Sequence, residues 1–204
     1  MSQSDFFQLF GLPFQPCVDE KLLKEVYLKL SSSLHPDKTS DASSVEPGHP
    51  DPALINEAHR ILSHAPSRLK HFLTILDGSA PGNLKQVPQE IGDLFMEVGG
   101  LLQKLDSVIK EKPAEDASEL SRVLFLKKSM VSRQQTEAML DKIQSGIHSL
   151  QLKLDSINQL WSRESSNGDV SSELTDQLTQ IYHEWTFLDR WQSQLRERLL
   201  ELTV

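Results

Sequence analysis

The chain has 204 residues and a formal net charge of −8, from 21 basic and 29 acidic side chains, and 38% of it is apolar. This acidic balance argues against non-specific nucleic-acid binding, because neutralising many phosphates requires a basic surface. A single cysteine excludes an internal disulfide and a cysteine-based zinc cage. No run approaches the ~18 apolar residues of a membrane span, and the first five residues lack the features of a secretory signal. We therefore expect a cytoplasmic protein that contacts neither nucleic acid nor membrane.

Three stretches rich in Pro, Gly and Ser divide the chain, at residues 35–52, 77–83 and 165–169. Between them the apolar residues recur at helical spacing, with almost no strand alternation. The sequence therefore predicts an all-α fold. We place a domain boundary at the second stretch, which gives an N-terminal domain over 1–77, a linker over 78–87 and a C-terminal domain over 88–204.

The N-terminal domain is predicted to contain a short helix that ends at Gly11 and a longer one opened by Asp19. The longer helix has an apolar face made by Leu23, Val26, Tyr27, Leu30 and Leu34. A return helix around Asn56 turns Ile55, Ala58, Ile61 and Leu62 inward. The pattern indicates two antiparallel helices joined by a proline-rich loop.

That loop begins with His35-Pro36-Asp37-Lys38. Pro36 lacks an N–H and disfavours a helical conformation of His35, so the helix must end there. The stiff turn presents an imidazole and a carboxylate at low ordering cost, which suits docking against an arginine-bearing partner. An acid–base role for His35 and Asp37 is the alternative, but no nucleophile, phosphate loop or paired carboxylates accompany them. We expect no enzyme activity.

The C-terminal domain is predicted to be a three-helix bundle. Apolar residues recur three and four apart in three segments, which run from Ile91 to Val108, from Leu140 to Trp161 and from Leu174 to Leu202. Pro113 and the acidic Glu115-Asp116 predict the start of the middle helix, and Ser171 or Ser172 can cap the last one.

Some large apolar residues lie off these seams. Met96 and Phe187 are not required by the bundle spacing, and Phe187 and Trp191 are four apart and would stack on one face. Such residues are candidate interface anchors. The alternative is that a wider apolar face buries them, and Phe95 sits beside a seam, where either outcome is open.

The residues around these features resemble the HscB-type J-domain co-chaperones of iron–sulfur cluster assembly. The matching segments are the Phe-Phe-Gln-Leu-Phe-Gly-Leu opening, His-Pro-Asp after an amphipathic helix, the Ile-Asn-Glu-Ala helix, 62–73, 93–97 and 186–190. The resemblance spans essentially the whole chain and implies a J-domain followed by a three-helix domain. The glycine- and phenylalanine-rich linkers and CxxC modules of general DnaJ proteins are not present in this sequence.

The resemblance implies two partners and no cofactor. A DnaK/HscA-class chaperone, whose ATPase is stimulated, would contact His35, Pro36, Asp37 and Lys38, together with helix-two lysines Lys21, Lys24 and Lys29. An IscU-type iron–sulfur scaffold would contact Phe95, Met96 and Phe187, with Trp191 beside them. No metal site is expected, since His59, His64 and His71 lack the spacing of four that helical zinc ligands use.

The chain departs from the family pattern in two places. Asp19, Glu20 and Glu25 offset the helix-two lysines, so we expect weaker electrostatic steering. Gly99-Gly100 falls where the family carries a large apolar residue in its scaffold-facing patch. Three alternatives therefore stay open: a J-domain co-chaperone for another client, a helical adaptor with a decayed J-domain, and an enzyme.

Overall fold

The structure is a computed structural model and describes residues 4–33, 51–82, 88–114, 116–167 and 171–202. These residues form seven helices and no strand. The helices are α1 Phe6–Phe10, α2 Glu20–Ser33, α3 Pro52–Ser63, α4 Ala65–Asp77, α5 Gln89–Lys110, α6 Glu119–Asn167 and α7 Ser172–Glu201. The predicted all-α fold is confirmed.

Capping side chains fix the ends of the N-terminal helices. Asp5 caps α1 by accepting hydrogen bonds from the backbone N–H groups of Phe7 at 2.9 Å and Gln8 at 3.1 Å. Gly11 ends that helix with φ 61°, a left-handed conformation that favours glycine. The sequence did not separate α3 from α4, which are divided at His64 in an extended conformation, just before Pro66.

A serine caps the start of each of the two longest helices, α6 and α7. The prediction that the middle helix starts beside Pro113 is wrong, because α6 begins at Glu119, where the Ser118 hydroxyl accepts a hydrogen bond from the Ser121 N–H at 3.2 Å. Ser171, one of the two predicted caps of α7, accepts from the Leu174 N–H at 3.4 Å. Polar caps rather than the nearest proline therefore set these boundaries.

The chain divides into two compact units. The N-terminal unit consists of Met1–Asn83 with Lys153–Tyr182, and the C-terminal unit of Leu84–Leu152 with His183–Val204. The end of α6 and the start of α7 thus pack with the N-terminal helices. The domain ranges read from the sequence stay a prediction.

Helices α2 and α3 of the N-terminal unit run antiparallel. The Tyr27 hydroxyl donates to Asn56 Oδ1 at 3.0 Å, and the Tyr27 ring stacks on His59 with centroids 4.1 Å apart. Leu23 of α2 and Ile55 of α3 are buried in the core. The predicted helical hairpin is confirmed in the described residues.

Two buried polar side chains tie α4 to the rest of the N-terminal unit. Arg68 donates to the backbone oxygens of Pro16 at 3.0 Å and Leu62 at 2.7 Å. His71 Nε2 accepts from the Phe6 N–H at 3.1 Å. Both residues are almost completely buried, and their hydrogen bonds satisfy backbone groups that would otherwise lack partners.

The part of α6 that belongs to the N-terminal unit contacts its aromatic core. The Trp161 indole N–H donates to the Phe14 carbonyl at 3.2 Å, and its ring meets Phe72 edge-on with centroids 4.8 Å apart. Burial and the neighbouring Asp155 raise the pKa of the Cys17 thiol to about 12. Cys17 is therefore a neutral, half-buried residue at physiological pH.

Three helices form the C-terminal unit, with a core made by the predicted seams. Leu105 of α5, Ile143 of α6 and Leu195 of α7 are completely buried. Earlier on α6 the buried face consists of small and polar residues with one aromatic, namely Phe125, Ser129, Ser132 and Thr136. Apolar spacing does not predict this part of the seam, because serine and threonine give no apolar signal.

Candidate functional site

The residues expected to contact the chaperone follow α2 in the sequence. His35, Pro36, Asp37 and Lys38 are outside the described residues. The described chain stops at Ser33 on α2 and resumes at Asp51, whose side chain caps α3 by accepting from the Ala53 N–H at 3.0 Å. Ser31 and Pro52 line one small cavity, so the two helix ends flanking the motif lie side by side.

The three lysines expected to face the chaperone are all exposed on α2. Within the described part of the chain, Lys21, Lys24 and Lys29 have no ion pair. Lys24 borders a groove of about 370 Å³ between α2 and α3, together with Leu28 and His59. Glu20 and Glu25 are exposed beside the lysines, so the helix presents a mixed rather than a uniformly basic face.

The residues expected to bind the scaffold come together on the C-terminal unit. Phe95 and Met96 lie on α5 and are 59% and 73% exposed, while Phe187 on α7 is half-buried. We call these three residues and Trp191, whose ring lies beside those of both phenylalanines, the α5–α7 patch. Its exposed members do not fill the bundle core. For Met96 this outcome was predicted, because the residue lies off the apolar seam.

Trp191 forms the floor of the α5–α7 patch. Its ring lies 5.9 Å from that of Phe187 in a stacked arrangement and 6.2 Å from that of Phe95 in a tilted one. Trp191 itself is only 5% exposed. For this residue the alternative prediction holds: it is buried by a wider apolar face of the bundle. The predicted stacking of Phe187 on Trp191 is confirmed. The indole holds both phenylalanines in place, which lowers the ordering cost of binding a partner.

The surroundings of the α5–α7 patch are open and polar. A Cβ placed on Gly99 or Gly100 would meet no atom within 4 Å, so packing does not require glycine at either position. Beside Met96, Glu97 pairs with Lys142 of α6 at 2.7 Å. An apolar centre with a charged rim is the usual composition of a protein-binding surface.

In the parts of the chain that the structure describes, no group of three or more His, Cys, Asp or Glu side chains could hold a metal ion. No helix there is long and apolar enough to cross a membrane. The aromatic and thioether side chains of the α5–α7 patch can bind another protein by apolar burial.

Comparisons with known proteins place these features in context. No family model matches the chain. A co-chaperone protein HscB homolog from Cupriavidus taiwanensis is 30% identical over 126 residues, which are 60% of this chain and 69% of that protein. Another from Vibrio atlanticus is 28% identical over 144 residues, 68% of this chain and 80% of that protein. Chaperone HscB from Vibrio cholerae has a similar fold, with a TM-score of 0.55 and 20% identity, over 95% of this chain and 96% of that chain.

Proposed function

The chain belongs to the HscB co-chaperone family, and on that basis we propose that it stimulates the ATPase of a DnaK/HscA-class chaperone and delivers an IscU-type iron–sulfur scaffold to it. The protein would be an adaptor without chemistry of its own, because ATP cleavage belongs to the chaperone. The observation that carries this proposal is the exposed α5–α7 patch, at the positions that the family resemblance assigns to scaffold binding.

The N-terminal unit would act on the chaperone through the hairpin end. The Tyr27 contacts with Asn56 and His59 fix α2 against α3, and the chain between them begins with the His35-Pro36-Asp37 motif. A hairpin held in this way would fix the two helix ends that flank the motif in the sequence, which lowers the ordering cost of binding. Lys21, Lys24 and Lys29 would add electrostatic steering, which the neighbouring Glu20 and Glu25 weaken.

The C-terminal unit would hold the scaffold by burying exposed apolar side chains. Complete burial of a phenylalanine or methionine side chain contributes about 1.5–3 kcal/mol. Phe95 and Met96 expose most of their surface before binding, so they have the most to gain. Phe187 and Trp191 would supply a preorganised base for that contact.

Because one protein would carry both contacts, it could deliver the scaffold to the chaperone. A scaffold held on the C-terminal unit stays close to a chaperone held on the N-terminal unit, at an effective concentration in the millimolar range. The stimulation itself is a coupling between two binding events, typically about 1–3 kcal/mol.

The test is a calorimetric titration of an IscU-type scaffold into the native protein and two variants. We expect Met96→Ala to weaken binding by about tenfold or more, since one tenfold step corresponds to about 1.4 kcal/mol. Leu200→Ala is the matched control, because Leu200 has the same 73% exposure as Met96 but lies near the end of α7. Absence of binding by the native protein, or equal losses in the two variants, would refute the scaffold assignment.

One observation favours a second function. Gly99 and Gly100 leave the surface beside Met96 bare, where the family pattern places a large apolar residue. A co-chaperone for a different client would keep ATPase stimulation and show no affinity for the iron–sulfur scaffold. The same titration, combined with an ATPase assay, separates the two functions.

A further inference from the structure

The N-terminal part of α6 carries a second exposed apolar surface, on a different helix from the α5–α7 patch. Its apolar members are between 47% and 69% exposed, and a lysine lies among them. We call it the α6 stripe, and it consists of Leu120, Val123, Leu124, Lys127, Met130 and Val131.

These residues share one face of the helix. They are spaced three, four, seven, ten and eleven positions from Leu120, which places them along one side of an α-helix over about 17 Å. The buried face of the same segment, from Phe125 to Thr136, lies about half a turn away. The bundle therefore does not need the α6 stripe for its own core.

The stripe is a local feature of α6. Farther along the helix the same face carries exposed polar residues, namely Gln134, Asp141, Ser145 and His148. A surface helix usually keeps its outward face polar, and between Gln134 and His148 this face of α6 is mainly polar, with the exposed Leu152 one turn farther on. A run of apolar side chains limited to three turns indicates a binding surface with a defined length.

Charge distinguishes the segment from the rest of the acidic chain. Residues 119–133 contain four basic side chains and one acidic one, whereas the whole chain has a net charge of −8. The basic residues are Arg122, Lys127, Lys128 and Arg133, and the acidic one is Glu119. Lys128 pairs with Glu111 at 2.5 Å, but Lys127, at the centre of the stripe, has no ion pair among the described residues.

We propose that the α6 stripe binds an acidic amphipathic helix of a partner protein. Such a helix would place apolar residues against Leu120, Leu124 and Val131 and a carboxylate against Lys127. Helix-on-helix packing matches the spacing of the stripe, and acidic flanks match its basic surroundings.

Two other occupants fit the charge pattern less well. A second copy of the chain, paired stripe to stripe, would bring two like-charged segments together. A membrane surface would have to accept Lys127 in the middle of the inserted face, where a charge is costly. Only an acidic helix offers both apolar contacts and a counter-charge at that point.

The probe is a synthetic three-heptad peptide with leucine at the a and d positions, glutamate at e and g, and one glutamate at a central a position. Binding is measured by fluorescence anisotropy at low and high salt, beside a scrambled peptide of the same composition. We expect Val131→Glu to weaken binding by about tenfold or more. Leu152→Glu is the matched control, on the same helix face about 30 Å away and 56% exposed, and it should leave the affinity unchanged.

A charge exchange gives the sharpest result. A second peptide is made with lysine in place of the central glutamate. The Lys127→Glu variant should lose affinity for the glutamate peptide and gain affinity for this lysine peptide. The proposal is overturned if the native protein binds neither peptide, or binds the scrambled one equally well. It is also overturned if the stripe variants abolish binding to anionic vesicles or self-association in sedimentation, with no effect on the peptide.

Discussion

His71 shows how one buried side chain makes stability depend on pH. Phe6 stacks on the imidazole with centroids 4.5 Å apart, and the Phe6 N–H donates to His71 Nε2. Burial lowers the pKa of His71, and the nearby Asp5 offsets only part of that effect. The folded protein therefore keeps the ring neutral at a pH where the unfolded chain already binds a proton.

The sign of the pH effect follows from this difference. Below the ordinary histidine pKa of about 6.5, the unfolded state binds more protons than the folded state, so the free energy of unfolding falls as the pH falls. His71→Gln keeps an acceptor for the Phe6 N–H but cannot titrate. In urea unfolding at about pH 7.5 and about pH 5.5, we expect a smaller difference for the variant than for the native protein. Equal differences would show that His71 does not contribute.

Residues of the α5–α7 patch differ in whether their substitution would test scaffold binding without destabilising the fold. Trp191 is buried, and truncating a buried tryptophan costs about 3–5 kcal/mol of stability. A binding defect in such a variant would therefore be confounded with unfolding. Met96 is exposed and contributes little to the core, which is why it serves as the probe of scaffold binding.

At the scale of the helix, α5 contains glycines that its packing does not require. A methyl group on Gly99 or Gly100 would meet no neighbour, and both lie inside the helix. We expect Gly99→Ala and Gly100→Ala each to raise the free energy of unfolding by about 0.5–1 kcal/mol, measured by urea titration. Gly11→Ala is the contrast, because φ 61° strains an alanine and should lower stability. A loss of stability in the α5 variants would contradict this account.

The apolar periodicity predicted which segments are helical better than it predicted where the helices begin or which elements they pack against. The seams of α5 and α7 are confirmed, because apolar spacing reports which side of a helix is buried. On the predicted face of α2, Leu23 is buried and Val26, Tyr27 and Leu30 are half-buried, whereas Leu34 lies outside the described residues. The start of α6 was misplaced, since Ser118 caps the helix after the proline signal had suggested an earlier beginning. The end of α6 packs on Phe14 and Phe72 through Trp161. The apolar spacing did not predict this contact, because it shows which side of a helix is buried but not which element covers that side.

The candidate site was predictable to a similar extent. The exposure of Met96 followed from its place off the seam, whereas the burial of Trp191 depended on how α5 and α7 pack. The α6 stripe was overlooked, although its spacing is visible in the sequence. Apolar residues at helical spacing are normally assigned to a core, and only the structure shows that the Ser129–Thr136 side is the buried one.

At the scale of the whole molecule, the two proposed contacts belong to different units. The motif at His35 follows α2 of the N-terminal unit, and the α5–α7 patch belongs to the C-terminal unit. Substitutions in one contact should therefore leave the other intact. This independence is what distinguishes an adaptor from a protein in which one surface serves both partners.

The most direct measurement is the steady-state ATPase rate of a DnaK/HscA-class chaperone with this 204-residue chain, in the presence and absence of an IscU-type scaffold. We expect the native protein to raise the rate and the scaffold to raise it further. Met96→Ala should keep the first increase and lose most of the second, whereas His35→Gln should lose both while still binding the scaffold. Stimulation that survives His35→Gln, or a native protein that leaves the chaperone's rate unchanged, would contradict the central claim.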